Sequence, residues 1–281
     1  MTSVSAIKSE TFEIPCRDGL TVRGEVYKAE SRLGSVIICH GFKGFAHWAF
    51  FPYLARRLAQ DGLTAITFDF SGSGIGADRE TFTEADAFAG NTFSRELDDL
   101  ELVEDFARRK QWINGKFGLF GHSRGGGTAI LYTAAADANV NSLVTWSAIS
   151  YPNRWSRQDV ITWRKRGYTE ITNSRTGQVM RLDTDLLDDV ELNGTTKLNI
   201  EAAAAKVRVP WLIIHGTADE TVPSSEAEHL HSLSRRVSTL RLISDGNHCF
   251  DAKHPLNEAP PALEKVVLET AKFFVRNATA K

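Results

Sequence analysis

Short apolar runs alternate along the chain with segments of helical periodicity, and this alternation limits the fold more than any other feature. The runs are Val36–Cys39, Thr64–Phe68, Phe117–Phe120, Leu143–Trp146, Trp211–Ile214 and Leu240–Ile243. A run without polar alternation is typical of a strand that is buried on both faces of a parallel sheet. Strands that alternate with helices predict an α/β fold, in which helices cover both faces of a mostly parallel sheet.

Two further kinds of segment complete the predicted core. Alternating residues around 10–15 and 20–28 flank Asp18-Gly19, a dipeptide that predicts a β-hairpin turn. Apolar residues at helical spacing predict four helices, at 53–62, at 97–106, after Ser123 and at 263–275.

Residues 150–205 do not join the alternation of strands and helices. The segment is rich in Trp and Tyr, and a structureless loop of this length is improbable in a compact domain. We therefore predict one core, formed by residues 1–149 and 206–281, and a cap or lid insertion at 150–205 that covers a site at the strand ends. A small insertion that only packs on the sheet is the alternative.

Charge and cysteine content exclude several classes of protein. The chain has 33 Lys+Arg and 35 Asp+Glu, so electrostatics give no reason to expect nucleic acid or an anionic membrane as a partner. Its three cysteines have neither the number of a disulfide framework nor the spacing of a zinc site. No run approaches the ~20 apolar residues of a membrane span. We expect a cytoplasmic protein with a small-molecule partner and no metal, and a homodimer stays open.

Gly121-His122-Ser123-Arg124-Gly125 is the strongest chemical signal. This G-x-S-x-G motif follows an apolar run and precedes a helical stretch, which is the context of a nucleophilic serine on a sharp turn from strand to helix. Side chains at the flanking glycines would collide in such a turn. We therefore predict Ser123 as a nucleophile and expect the His122 side chain to point away from it.

A serine hydroxyl needs a base, and the base needs an orienting carboxylate. His248 lies in a polar loop just after the run Leu240–Ile243, where a side chain can reach the carboxyl edge of the sheet. His254 is the rival base.

Asp219 is the predicted carboxylate. It follows the run Trp211–Ile214, so it comes from a different strand end than His248. Asp245 and Asp251 are alternatives that are nearer to His248 in the sequence, and Glu220 is expected to face the other way.

Acyl transfer also needs hydrogen-bond donors for the oxyanion. The N–H of Arg124, which follows the serine, is one candidate, and the N–H of Phe42, in the loop after the run Val36–Cys39, is the other. The glycines of Asp69–Gly74 lack the spacing of a dinucleotide site, so no cofactor is predicted and this loop is interpreted as structural support.

Five motifs together resemble the α/β-hydrolase superfamily: HGF at His40–Phe42, DFSGSG at Asp69–Gly74, GHSRGG at Gly121–Gly126, HGTADETVP at His215–Pro223 and GNHCF at Gly246–Phe250. The order Ser123, Asp219, His248 is also that of the superfamily. The chain is most similar to its serine carboxylesterase branch, which includes cinnamoyl and feruloyl esterases, and resembles dienelactone-hydrolase-like and serine-aminopeptidase-like members. The resemblance implies an eight-stranded, mostly parallel sheet whose second strand is antiparallel.

Aromatic side chains predict an apolar pocket for a small ester, formed by Phe45, Trp48, Trp155 and Trp163. Basic residues between Arg154 and Arg166 are expected to pair with the acidic stretch Asp183–Glu191 or to bind a substrate carboxylate. The hypothesis is a serine esterase that works through an acyl-enzyme. A peptidase, a non-hydrolytic enzyme and a ligand-binding receptor on the same fold are the alternatives.

Overall fold

The structure is a computed structural model that describes residues 7–173 and 177–279. Its large sheet contains strands β1 (Ser9–Pro15), β2 (Thr21–Tyr27), β3 (Gly34–Cys39), β4 (Leu63–Asp69), β5 (Phe117–His122), β6 (Val140–Trp146), β9 (Trp211–Gly216) and β10 (Ser238–Ile243). Their order in the sheet is β1-β2-β4-β3-β5-β6-β9-β10. β2 runs antiparallel to both β1 and β4, and the remaining neighbours are parallel. The predicted α/β fold and the antiparallel second strand are confirmed.

The central strands are buried as their apolar runs predict. β4, β5 and β9 are buried along their whole length, because helices pack on both faces of the sheet. β10 lies at the sheet edge, and three of its six residues are exposed. The apolar run of β10 predicted burial on both faces, and the strand is less buried than that.

Helices connect the strands. They are α1 (Phe50–Gln60), α2 (Ala85–Ala89), α3 (Phe93–Arg109), α4 (Arg124–Thr133), α8 (Ser224–Ser234) and α9 (Pro261–Thr279). α3 begins at the N-cap Thr92, whose side chain accepts a hydrogen bond from the N–H of Arg95. α1 and α9 pack against each other and on the sheet. α3 and α4 form a second pair, in which α4 contacts β3, β5 and β6.

The described residues of the segment 150–205 form α5 (Arg157–Arg166), the antiparallel strands β7 (Tyr168–Thr172) and β8 (Val179–Asp183), α6 (Asp185–Asn193) and most of α7 (Ile200–Lys206). A capping box of Ser156 and Asp159 starts α5, and Gly167 ends it with a φ of 81°. α7 packs against α4 and α8, as a crossover helix of the core does. The part of the segment that lies outside the core alternation of strands and helices therefore ends before α7. Its role as a cap stays a prediction.

Within the described residues, no helix is long and apolar enough to cross a membrane.

Candidate active site

Ser123 occupies a strained turn between β5 and α4. Its φ of 57° and ψ of −121° lie in a region that non-glycine residues rarely adopt. The N–H of Ser123 donates to the carbonyl of Trp146 at 2.9 Å, so the turn is tied to the neighbouring strand β6. Such strain is typical of a functional residue that the surrounding structure holds in place.

The glycines of the motif permit this turn because other backbone lies very close. A Cβ atom at Gly121 would lie 2.2 Å from the carbonyl oxygen of Gly125, and one at Gly125 would lie 2.2 Å from that of His40. Both distances are shorter than any real contact, so a side chain at either position would displace the backbone. The predicted collision at the flanking glycines is therefore observed.

Asp219 and His248 meet beside this turn. The Nδ1–H of His248 donates to Oδ2 of Asp219 at 2.8 Å, and the two residues come from the loops after β9 and β10. Those parallel strands are neighbours, so their carboxyl ends open at the same edge of the sheet. The hydrogen bond leaves Nε2 of His248 as the ring nitrogen that can accept a proton.

Asp219 is held as an anion. Burial disfavours its charge, but hydrogen bonds from His215 and His248 and from the N–H of Val222 outweigh burial and lower the pKa of Asp219 below its ordinary value. Its Oδ1 also accepts from the N–H of Thr221 at 2.9 Å. An ionised carboxylate in this position stabilises the imidazolium that forms when His248 takes a proton.

His215 is a site residue that the sequence marks only as the first residue of the motif His215–Pro223. Its Nε2 lies 3.2 Å from Oδ2 of Asp219, and it also donates to the carbonyl of Val222 at 2.8 Å. The spacing of four residues between His215 and Asp219, across the end of β9, was the signal available in the sequence.

His122 is also part of the site, through contacts with His248 and not with the Ser123 side chain from which it was expected to point away. Its ring centroid lies 4.7 Å from that of His248, and its Nε2–H donates to the His248 carbonyl at 3.0 Å. The ring therefore supports the loop that carries His248.

The alternatives to Asp219 and His248 have other partners. His254 accepts a hydrogen bond from the N–H of Ala49, and its Nε2 lies 3.4 Å from Glu80, so the rival base is not at this site. Asp251 accepts from the Asn247 side chain.

The predicted oxyanion donors belong to two segments that both approach Ser123. Arg124 is the first residue of α4, so its N–H has no partner within the helix. The loop of Phe42 approaches so closely that a Cβ atom at Gly41 would lie 2.9 Å from Cβ of Ser123. His40 stabilises this loop, since its Nε2 accepts from the N–H of Phe70 in the Asp69–Gly74 loop at 3.2 Å.

The side chain of Arg124 contacts Phe42, the residue that carries the other predicted donor. Its guanidinium lies over the rings of Phe93, at 4.0 Å, and Phe42, at 5.1 Å. Its Nε lies 2.9 Å from Glu96 on α3, and Glu96 also accepts from Thr128. Nothing in the sequence marks Glu96, because its partners lie on a different helix.

A cavity of about 300 Å³ opens at Ser123. Its lining comprises Gly41, Phe42, Lys43, Gly44, Trp48, Phe51, Phe93, His122, Ser123, Arg124, Ile149, Pro152, Arg154, Trp155, Asn173, Thr221, Val222 and His248. Ser123 and His248 therefore face one space, and the described residues of the segment 150–205 contribute four members of the lining.

Four aromatic residues were predicted to line the pocket, and for two of them the prediction is wrong. Trp48 and Trp155 line the cavity. Phe45 instead packs edge-on against Phe82 and His254, and Trp163 is buried behind Trp155, with ring centroids 5.1 Å apart. All four side chains are apolar, as the sequence indicates, but their neighbours are set by tertiary packing.

Charged residues of the segment 150–205 pair partly as predicted. Arg164 on α5 forms ion pairs with Asp188 and Glu191 of the acidic stretch. Arg154 instead pairs with Glu226 on α8. Among residues 7–173 and 177–279, no cluster of three or more His, Cys, Asp or Glu side chains has the arrangement of a metal site.

Comparison with known proteins agrees with this architecture. The family model of the alpha/beta hydrolase fold matches residues 34–168. This chain has the alpha/beta hydrolase fold.

Other similarities of this α/β-hydrolase-fold chain extend beyond the matched region. It is 24% identical over 257 residues to the uncharacterized protein YfhR of Escherichia coli O157:H7, covering 88% of this chain and 76% of YfhR. It is 24% identical over 195 residues to 2,6-dihydropseudooxynicotine hydrolase of Paenarthrobacter nicotinovorans, covering 67% of this chain and 45% of that protein. The structure of Est1E from Butyrivibrio proteoclasticus with bound ferulic acid superimposes with a TM-score of 0.73 at 19% identity, covering 96% of this chain and 100% of Est1E.

Proposed function

We propose that this α/β-hydrolase-fold protein is a serine hydrolase that cleaves carboxylic esters of small, apolar or aromatic substrates. The observation that carries the proposal is the hydrogen bond of 2.8 Å between His248 and Asp219, at the edge of a cavity that Ser123 also lines. Trp48, Phe51 and Trp155 in the cavity wall support an apolar substrate. The similarity to Est1E, whose structure contains ferulic acid, is consistent with an aromatic ester.

In the proposed mechanism, Oγ of Ser123 attacks the ester carbonyl carbon while Nε2 of His248 takes the serine proton. The oxyanion of the tetrahedral intermediate accepts hydrogen bonds from the N–H groups of Phe42 and Arg124. The intermediate collapses, the C–O bond to the alcohol breaks, and His248 gives its proton to the leaving oxygen. Water then attacks the acyl-Ser123 ester with His248 as its base, which releases the acid and restores the serine.

The test is hydrolysis of 4-nitrophenyl esters by the purified protein and by Ser123→Ala. We expect the variant to lose about five to six orders of magnitude in kcat, as removal of the nucleophile does in other serine hydrolases, with an unchanged melting temperature. A Ser156→Ala variant, which alters only the cap of α5, is the matched serine control. Activity of Ser123→Ala close to that of the unchanged protein would reject the proposal.

The same experiment separates esters from amides. A panel of acyl chain lengths, feruloyl esters and aminoacyl 4-nitroanilides compares the esterase with a peptidase on this fold. Greater turnover of the anilides than of the esters would favour the peptidase, whereas ligand binding without any turnover would favour a receptor.

A further inference from the structure

The wall of the active-site cavity carries charge of one sign. Among the residues that the structure describes, three cationic ones line it, namely Lys43, Arg124 and Arg154. No Asp or Glu is among the described residues that line it. Hydrolysis of an electrically neutral ester does not require cationic side chains in the lining, since backbone N–H groups donate hydrogen bonds to the oxyanion.

The carboxylates that balance two of these cations lie behind them. Glu96 pairs with Arg124 at 2.9 Å and Glu226 pairs with Arg154 at 2.8 Å, and both glutamates are buried outside the cavity lining. A group inside the cavity that contacts Arg154 is therefore nearer to its guanidinium than to Glu226. This ion pair acts on such a group as a dipole whose positive end faces it.

Of the two arginines, Arg154 is the one that a ligand can reach. Its side chain is 26% exposed, whereas that of Arg124 is 6% exposed and is covered by Phe42 and Phe93. Glu226 orients Arg154 by accepting two hydrogen bonds from Nη1, at 2.8 and 3.1 Å. Glu226 is itself held by the N–H of Ser150 at 2.7 Å.

This arrangement leaves donors of Arg154 for a further partner. The guanidinium has five N–H donors. The Nη2 group donates to the uncharged carbonyl of Thr221 in a long hydrogen bond of 3.4 Å. The guanidinium carbon also lies over the ring of Tyr151, 5.0 Å from its centroid. A planar guanidinium that is already oriented loses little entropy when it binds a carboxylate.

Lys43 adds a third cation to the cavity lining. It follows the predicted oxyanion donor Phe42, and its Nζ donates to the carbonyl of Thr172 on β7 at 3.3 Å. Its charge thus stands where the core loop meets the segment 150–205.

We infer that the ester substrate carries a carboxylate, which Arg154 binds while Trp48 and Trp155 contact its apolar part. The inference rests on the proposed esterase function. It specifies the substrate class as half-esters of dicarboxylic acids or esters with an anionic substituent.

The test compares two 4-nitrophenyl esters of equal size, the half-ester of adipic acid and the corresponding adipamic ester, in which an amide replaces the carboxylate. Rates are divided by those of alkaline hydrolysis, so the leaving group cancels. We expect kcat/KM of the acid to exceed that of the amide by at least about tenfold at low ionic strength, and the ratio to shrink in 0.5 M salt, where the Debye length is only several Å.

Arg154→Gln is expected to bring the ratio of acid to amide close to one. Because this variant leaves Glu226 without its partner, the double variant Arg154→Gln/Glu226→Gln is measured beside it, and the same collapse is expected. Arg157→Gln is the matched control, since Arg157 is exposed on α5 and does not line the cavity; it should retain the ratio.

A ratio of one or less in the unchanged protein overturns the inference, and so does a tenfold ratio that survives both Arg154 variants. If neither ester is cleaved, the esterase proposal fails, and calorimetry with Ser123→Ala then decides the inference separately. Binding of the acid at least tenfold tighter than the amide supports a carboxylate site, and equal binding rejects it.

Discussion

Nε of Arg124 lies 2.9 Å from Oε1 of Glu96, in an ion pair whose two side chains are each more than nine-tenths buried. The pair joins α3 to the first residue of α4, directly after Ser123. It therefore ties the side chain next to the strained turn to a helix outside the motif.

Glu96→Gln should lower the free energy of unfolding by about 3 kcal/mol, because the variant leaves a buried guanidinium without its counter-ion. Urea denaturation measures the change, with Glu101→Gln on the exposed face of α3 as the control. The double variant Arg124→Met/Glu96→Gln should lose less than the sum of the two single variants. Additive losses would show that the two side chains do not interact.

Asp219→Asn should reduce kcat on a 4-nitrophenyl ester by about 10⁴, because an amide cannot stabilise the imidazolium of His248 and favours the wrong tautomer. The neighbouring exposed residue provides the control, since Glu220→Gln keeps the hydrogen bond between His248 and Asp219. Equal losses in the two variants would contradict the role of Asp219.

Asp99 predicts an unusual dependence of stability on pH. Burial raises the pKa of this carboxyl to about 7, although the N–H of Ser71 donates to it at 2.8 Å. A pKa that is raised in the folded state contributes to the free energy of unfolding, and this contribution is fully present below the unfolded-state pKa of about 4. It is lost as the pH rises through the folded-state pKa of about 7. The loss amounts to about 1.4 kcal/mol for each pH unit that separates the folded-state pKa from the unfolded-state pKa.

Asp99→Asn should consequently melt at a higher temperature than the unchanged protein at pH 8, and the difference should narrow or vanish at pH 4. Melting curves across this range measure the effect, with Asp98→Asn, one residue away and exposed, as the control. A variant that is equally destabilised at every pH would refute the prediction.

Gly125→Ala should destabilise the fold by about 2 kcal/mol or more, since its Cβ atom would lie 2.2 Å from the His40 carbonyl and the backbone must move. The shift would also displace the loop of Phe42, so ester hydrolysis should fall as well. Gly90→Ala is the control, because the nearest atom to its added Cβ lies at 3.8 Å. Wild-type stability of Gly125→Ala would mean that the turn is looser than described.

The sequence by itself determined the fold class and the places where chemistry can occur. Apolar runs report strands that are buried on both faces, and G-x-S-x-G reports a turn that glycine alone permits, because both are local constraints on the backbone. The loops of Asp219 and His248 were predictable for the same reason, since the carboxyl ends of parallel strands share one edge of the sheet.

Only the tertiary structure decided which side chains meet at that edge. Phe45 and Trp48 stand three residues apart and look alike in the sequence, yet only Trp48 lines the cavity. The contacts of Glu96 with Arg124, and of Glu226 with Arg154, join residues that are 28 and 72 positions apart. Such pairs depend on how helices and loops pack over the sheet, and no local periodicity or spacing encodes that packing.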